Sequence, residues 1–123
     1  MKWNFLHNTT DKILVVSTEG ILDLPSANEM RDEGMKLIRQ HGYLLCMLDH
    51  SKAEGFEINV FDTYDLPKKY KELNIPPSFR MAVVVPEERR ENSHFYETVC
   101  RNNGYSVSVF FERESALQWL KSC

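Results

Sequence analysis

The chain has 123 residues, a formal net charge of −3, a hydrophobic fraction of 42% and a charged fraction of 27%. This length suits one domain with its own core, and this composition excludes a disordered chain. The short basic clusters at residues 68–71 and 89–90 are bordered by acidic residues and indicate solvated faces, so the charge pattern argues against a nucleic-acid or membrane partner. The N-terminus lacks a signal-peptide run and no segment is long enough to span a bilayer, so we expect a cytoplasmic location.

The first two predicted strands form a hairpin. Residues 3–7 alternate apolar and polar side chains, and residues 13–16 are apolar and mostly β-branched, in a stretch that stops at Gly20. The polar residues 8–12 between them are turn formers. Two strands joined by a short polar loop are predicted to pair antiparallel.

A helix is predicted next, over residues 25–41. Ser26 and Glu29 form the pattern of a capping box, and Gly42 supplies a typical C-terminal cap. Residues 44–48 are then apolar without alternation, which indicates a strand covered on both faces.

The middle of the chain predicts a loop, a helix and a strand. Residues 49–55 are polar and irregular, which favours a loop. A helix is expected over 59–73, opened by Asn59 and either kinked or divided at Pro67. The apolar run 81–85 then predicts a second strand covered on both faces.

The last third predicts a helix over 90–102, a strand over 105–111 and a short helix over 115–121. After the opening hairpin, a helix separates each strand from the next, as parallel crossovers require. The predicted fold is therefore α/β, with a single mixed, mostly parallel sheet, an N-terminal antiparallel hairpin and helices packed around the sheet. All of residues 1–123 are predicted to form one domain.

The three cysteines, Cys46, Cys100 and Cys123, are odd in number and far apart. Cys46 lies inside an apolar run, where a thiol behaves as a small hydrophobic group. Reduced thiols in a reducing compartment are the simplest interpretation.

Three segments resemble the C-terminal half of the STAS-like superfamily, which includes the anti-sigma factor antagonists and many uncharacterised bacterial proteins. They are FYETVCRNNGY (95–105), VSVF (107–110) and ALQWL (116–120). The predicted order of strands and helices agrees with that superfamily over nearly the whole chain. The resemblance implies a STAS-like domain that binds a protein or a small ligand and does not turn over a substrate.

Asp49, His50 and Ser51 follow a buried strand, at a place similar to the regulatory loop of the antagonists. The loop here reads DHSKAEG, which is longer than the antagonists' Asp-Ser-Ser-Gly-like turn. A phosphate on Ser51 would add roughly −2 charge beside Asp49 and could release a partner. The alternative interpretation is that Asp49 and Ser51 only satisfy loop amides.

Asp49 and His50 also raise the hypothesis of an enzyme with a general base. No nucleophile motif accompanies them, and neighbours in a strand point to opposite faces of the sheet. The histidines lack the spacing of a metal site, and the glycines form no phosphate-binding motif. We therefore expect no catalytic residues, metal or cofactor.

Phe56, Phe61 and Tyr64 belong to a segment with more apolar residues than one face of a short helix needs. One interpretation is a helix packed closely on the sheet, since aromatic stripes usually mark a core. The other is an exposed apolar patch that contacts a partner or a second copy of the chain.

The leading hypothesis is a non-enzymatic regulatory or interaction domain, using residues 49–55 and the following helix to bind a protein partner or a small ligand. The first alternative is a carrier that binds an apolar or anionic metabolite between the 59–73 helix and the last strand. A groove lined by methionines and aromatic residues would favour the carrier. The weaker alternative is an enzyme using Asp49 and His50, which a strongly shifted pKa of His50 in a cleft would favour. Homodimerisation stays open.

Overall fold

The computed structural model describes residues 1–122. Their five strands form one sheet, in which the strands lie side by side in chain order. The strands are β1 (Lys2–Asn8), β2 (Ile13–Asp23), β3 (Leu45–Glu57), β4 (Arg80–Val84) and β5 (Ser106–Phe110). The helices are α1 (Leu24–His41), α2 (Val60–Glu72), α3 (Arg90–Asn102) and α4 (Arg113–Lys121). A single 3-10 turn, Glu87–Arg89, precedes α3.

The pairing of the strands confirms the predicted mixed sheet. β1 and β2 run antiparallel, with Phe5 opposite Val16. β2, β3, β4 and β5 run parallel, and Cys46 lies between Leu14 and Met81 in the register. The hairpin therefore contributes the antiparallel edge strand of an otherwise parallel sheet.

Three helices cover one face of the sheet and one helix covers the other. Met30 of α1, Tyr70 of α2 and Cys100 of α3 belong to the core layers on the first face. Ala116 and Leu120 of α4 pack on the opposite face. Along each strand, the side chains that face α4 alternate with those that face the other three helices. The buried ones that face α4 are Ile13, Val15, Met47, Ala82 and Val84. This separation follows from the period of two along each strand.

The first helix begins differently from the sequence prediction, and the proposed capping box of Ser26 and Glu29 is wrong. Asp23 is the N-cap, in an extended conformation, and its Oδ1 accepts a hydrogen bond from the Ser26 backbone N–H at 2.8 Å. Ser26 lies inside the first turn, after the N-cap position, so its side chain does not cap the helix. The C-terminal cap at Gly42 is confirmed, with a left-handed φ of 70°.

The predicted loop 49–55 is wrong, because β3 continues as a strand to Glu57. β2 likewise continues beyond Gly20 to Asp23. The two extensions pair with each other in parallel, so each supplies the backbone partners that the other needs. The register shifts twice, between Ser17 and Glu19 and between Gly20 and Ile21, and these irregularities accommodate the polar sequence.

The second helix begins where the sequence predicts. Asn59 is its N-cap, and its Oδ1 accepts a hydrogen bond from the Asp62 N–H at 2.9 Å. Pro67 lies within the helix, is buried and does not divide it. Within residues 1–122, none of the helices has both the length and the apolar character that crossing a membrane requires.

Two cysteines are buried free thiols, on the side of the sheet that carries three helices. Burial raises the pKa of Cys46 and of Cys100 to about 12. Both thiols therefore stay protonated near neutral pH and pack as small apolar groups. Cys123 lies outside the described residues.

Truncation of Leu120 tests whether α4 is an essential cover for the second face. Leu120 is 2% exposed, and Leu120→Ala is expected to lower the free energy of unfolding by about 2–5 kcal/mol, because it leaves a core cavity. Leu6→Ala is the matched control, since Leu6 is 60% exposed and its loss should cost at most about 0.5 kcal/mol. Urea unfolding measures both, and equal losses would contradict this account.

Candidate functional site

A cavity of about 440 Å³ lies between the sheet and the helices α1, α2 and α3. Its volume falls in the range of small-molecule binding sites. On α1, Ala27 and Gly34 line it and bring little side-chain bulk towards the sheet. Protein interiors rarely leave space of this size empty, so the cavity is the first candidate for a binding site.

The lining of the cavity is mainly apolar and rich in methionine and aromatic side chains. The methionines are Met30, Met35 and Met81, and the aromatic residues are Phe56, Tyr70, Phe79, Phe95, Tyr96 and Tyr105. Methionine side chains adapt their shape to irregular apolar surfaces. This lining is the feature that the sequence analysis associates with a carrier.

His50 is the buried imidazole of the cavity wall. Its Nδ1 lies 2.7 Å from the hydroxyl oxygen of Thr18, and its ring meets the Phe56 ring edge to face at 6.2 Å. Burial lowers the pKa of His50 to about 4, although the negative charge of Asp49 opposes that shift. The imidazole is therefore neutral near pH 7.

Asp49 points to the opposite face of the sheet, towards α4. Its Oδ2 forms an ion pair with Arg113 Nε at 2.6 Å, and its Oδ1 accepts a hydrogen bond from the Ser51 N–H at 2.9 Å. Burial alone would raise its pKa, but the hydrogen bonds from Ser51 and the charge of Arg113 hold that pKa below its usual value. Asp49 therefore ties β3 to α4 and does not orient the His50 ring.

Ser51 is exposed on β3, directly after the two buried residues. Its backbone N–H donates a hydrogen bond to Asp49 Oδ1. This contact is the one expected if Asp49 satisfies an amide of its own segment. The structure thus brings Asp49 and Ser51 into contact, while His50 faces the cavity on the other side of the sheet.

The apolar segment around α2 divides between the cavity and the outer surface. Phe56 is half-buried and lines the cavity, with the Arg89 guanidinium 4.2 Å from the centre of its ring. Phe61 is 77% exposed and Tyr64 is 65% exposed, and the neighbouring Val60 is 56% exposed. Phe56 is therefore packed towards the cavity, Phe61 and Tyr64 are exposed, and Val60 lies at the boundary between the cavity and the outer surface.

Sequence reasoning missed a polar cluster inside the cavity. The hydroxyls of Tyr70 and Tyr96 lie 2.8 Å apart, and the Arg31 guanidinium carbon is 5.9 Å from the centre of the Tyr70 ring. The spacing along α1 could have placed Arg31 at the cavity. Arg31 lies four residues after Ala27 and three before Gly34, so all three share one face of the helix. Among residues 1–122, no three His, Cys, Asp or Glu side chains form a group able to hold a metal ion.

Comparison with known proteins places the fold. No protein-family model matches the sequence, and no curated protein matches it. Solved structures match over almost the whole chain. An anti-sigma factor antagonist from Mycobacterium paratuberculosis is similar with a TM-score of 0.66 and 14% identity, over 98% of this chain and 96% of that one.

Two further solved structures agree. An uncharacterised protein from Shewanella loihica with a SpoIIAA-like fold has a TM-score of 0.62 and 18% identity, over 97% of this chain and 92% of that one. The anti-sigma factor antagonist SpoIIAA in its unphosphorylated form has a TM-score of 0.62 and 14% identity, over 99% of this chain and 100% of that one. The chain therefore has a SpoIIAA-like fold, which confirms the predicted STAS-like architecture.

Acidification is expected to destabilise the protein through His50. Its pKa is about 4 when folded and about 6.5 when unfolded, so the unfolded chain binds more protons between those values. This contribution to stability is complete above about pH 6.5 and is lost as the pH falls towards about 4. We expect a loss of about 2 kcal/mol between about pH 7 and pH 5, measured by urea unfolding.

His50→Gln removes the titrating group, so the loss over that pH interval should shrink towards zero. His94→Gln is the control, because His94 is exposed and its replacement should keep the loss seen in the wild type. If His50→Gln and the wild type lose equal stability, the pH dependence does not come from His50.

Proposed function

We propose that this protein is a non-enzymatic binding domain that holds an apolar small ligand in the cavity beneath α2. The observation that carries the proposal is the cavity of about 440 Å³ lined by methionine, aromatic and aliphatic side chains. A ligand there would bury apolar surface at roughly 25 cal/mol per Å², and it would restore the contacts that the lining side chains lack.

The position of α2 supports entry of a ligand at this place. α2 packs mainly on α3, and its buried Tyr70 holds the second half of the helix on the core above the strands, so the exposed first turns are the less constrained part. Elements with few packing contacts open locally at low cost. Opening of α2 would give a ligand access to the cavity without disturbing the paired strands.

The separation of Asp49 from His50 supports a role without catalysis. A catalytic imidazole is often oriented by a carboxylate, and here the neighbouring Asp49 bonds to Arg113 on the opposite face of the sheet. His50 instead contacts Thr18. A cytoplasmic location belongs to the same proposal, supported by the free thiols of Cys46 and Cys100.

Filling the cavity tests the proposal. Leu66 lines the cavity from α2, and Leu66→Trp is expected to weaken binding of the neutral apolar dye Nile red at least about tenfold, by occupying its space. Dye fluorescence during titration of the purified protein measures the affinity. Leu44→Trp is the matched control, because Leu44 is 60% exposed and does not line the cavity. No dye binding by folded wild type would contradict the proposal.

A regulatory domain that binds a protein partner is the second candidate. The observation that favours it is the exposed apolar patch of Val60, Phe61 and Tyr64 on the first turns of α2. Exposed apolar residues that lie together often mark interaction surfaces. The similarity in fold to anti-sigma factor antagonists supports a regulatory role, and Ser51 is the residue proposed to control it.

Phe61→Ser is expected to abolish capture of a partner from extracts of the native host, because it removes the most exposed apolar side chain of the patch. Ser51→Asp should weaken the same capture if charge at Ser51 controls it, and Ser51→Ala should not. Phe111→Ser is the control, since Phe111 is 36% exposed and lies outside the patch. Equal capture by Phe61→Ser and wild type contradicts this candidate. Whether the patch joins two copies of the chain is tested separately, by size-exclusion chromatography of the purified protein.

A further inference from the structure

The charged residues that line the cavity are all cations. Arg31 and Arg89 contribute to its wall, and no Asp or Glu among residues 1–122 does so. The two guanidinium groups bring positive charge to the cavity wall with no acidic side chain there to balance it, and charges interact more strongly in apolar surroundings. Charge complementarity therefore favours a ligand with an anionic group.

Arg31 is the cation with unused hydrogen-bonding capacity at the α1–α2 boundary. Its Nη1 donates to Asn28 Oδ1 at 2.8 Å, and Lys69 Nζ donates to the same oxygen at 2.8 Å. Neither cation takes part in an ion pair within the described part of the chain. A guanidinium group has five N–H donors, so most of those on Arg31 stay available.

The phenols of Tyr70 and Tyr96 provide a second donor near Arg31. Their hydroxyls share one hydrogen bond of 2.8 Å, and both also lie beside the buried Cys100 thiol, whose sulfur is a weak acceptor. Burial raises the pKa of both phenols and keeps them protonated. The positive charge of Arg31 acts against burial and lowers both pKa values by a smaller amount. The second O–H is therefore a neutral donor that can exchange the weak Cys100 acceptor for a carboxylate, at the ring that the Arg31 guanidinium faces.

The remaining cavity wall suits a hydrocarbon chain. From the Arg31 position it continues along α1 and over the strands, through side chains that carry no charge: Met30, Leu48, Ile38, Phe79 and Met81. An extended alkyl group would gain roughly 0.8 kcal/mol for each buried methylene. The polar cluster and the apolar wall together resemble the two parts of one amphiphilic molecule.

We propose that the ligand is a monocarboxylate with an alkyl chain, whose carboxylate accepts hydrogen bonds from Arg31 and from the Tyr70–Tyr96 pair. The inference rests on the proposed binding of an apolar ligand and adds the chemistry of its head group. Arg89 contacts Phe56 at another part of the wall and does not hold the carboxylate.

The test uses two probes with the same chain and different heads, dodecanoate and dodecanol, each displacing Nile red. Dodecanoate is kept below its critical micelle concentration and dodecanol below its limit of solubility in water. We expect the wild type to prefer dodecanoate, and Arg31→Gln to weaken dodecanoate roughly tenfold to a hundredfold while changing dodecanol by less than about threefold. Arg31→Lys, which retains the charge, should keep part of the preference. Arg89→Gln is the matched variant from the same cavity wall and should reduce the preference much less than Arg31→Gln, because Arg89 contributes charge but no hydrogen bond to the carboxylate.

The outcomes separate the two proposals. If Nile red binds but dodecanol competes as well as dodecanoate, the carboxylate inference fails and the apolar cavity remains. If Arg89→Gln removes the preference and Arg31→Gln does not, the placement of the head group is wrong. If Arg31→Gln weakens both probes equally, Arg31 only supports the fold. If folded wild type binds neither Nile red nor either probe, both proposals fail. Thermal unfolding of each variant shows that it is folded.

Discussion

The handedness of the parallel crossovers is the constraint on which the rest of this structure depends. β2, β3, β4 and β5 are neighbours in chain order, so each connection moves one strand in the same direction across the sheet. Right-handed crossovers of that kind place all their helices on one face. α1, α2 and α3 therefore share one side, and the other side needs α4, whose Ala116 and Leu120 complete its core.

The cavity follows from that arrangement. Three helices must cover one face of a twisted sheet, and α2 meets α3 more closely than it meets the strands. The space that remains is bounded by side chains from all three helices, and Gly34 of α1 adds none of its own. The same arrangement leaves Phe61 and Tyr64 on the outer side of α2, so one short helix presents apolar residues in two directions.

The alternation of side chains along β3 divides its polar residues between two roles. Asp49 joins the sheet to α4 through Arg113, and its ion pair lies where charges are partly accessible to water. His50 points the other way, into an apolar wall that keeps its imidazole neutral. Two neighbours in the sequence are thus separated by the thickness of a sheet, and the chemistry of each depends on different helices.

The order of the elements, the antiparallel hairpin and the parallel sheet could be predicted from local patterns in the sequence, because apolar runs and turn residues act locally. The sequence did not reveal that the polar residues 49–55 belong to β3, since their backbone partners lie in β2, more than thirty residues earlier. It also left Arg31, Tyr70 and Tyr96 unconnected. Only the tertiary structure brings α1, α2 and α3 together around one cavity, because contacts between elements depend on packing and not on spacing along the chain.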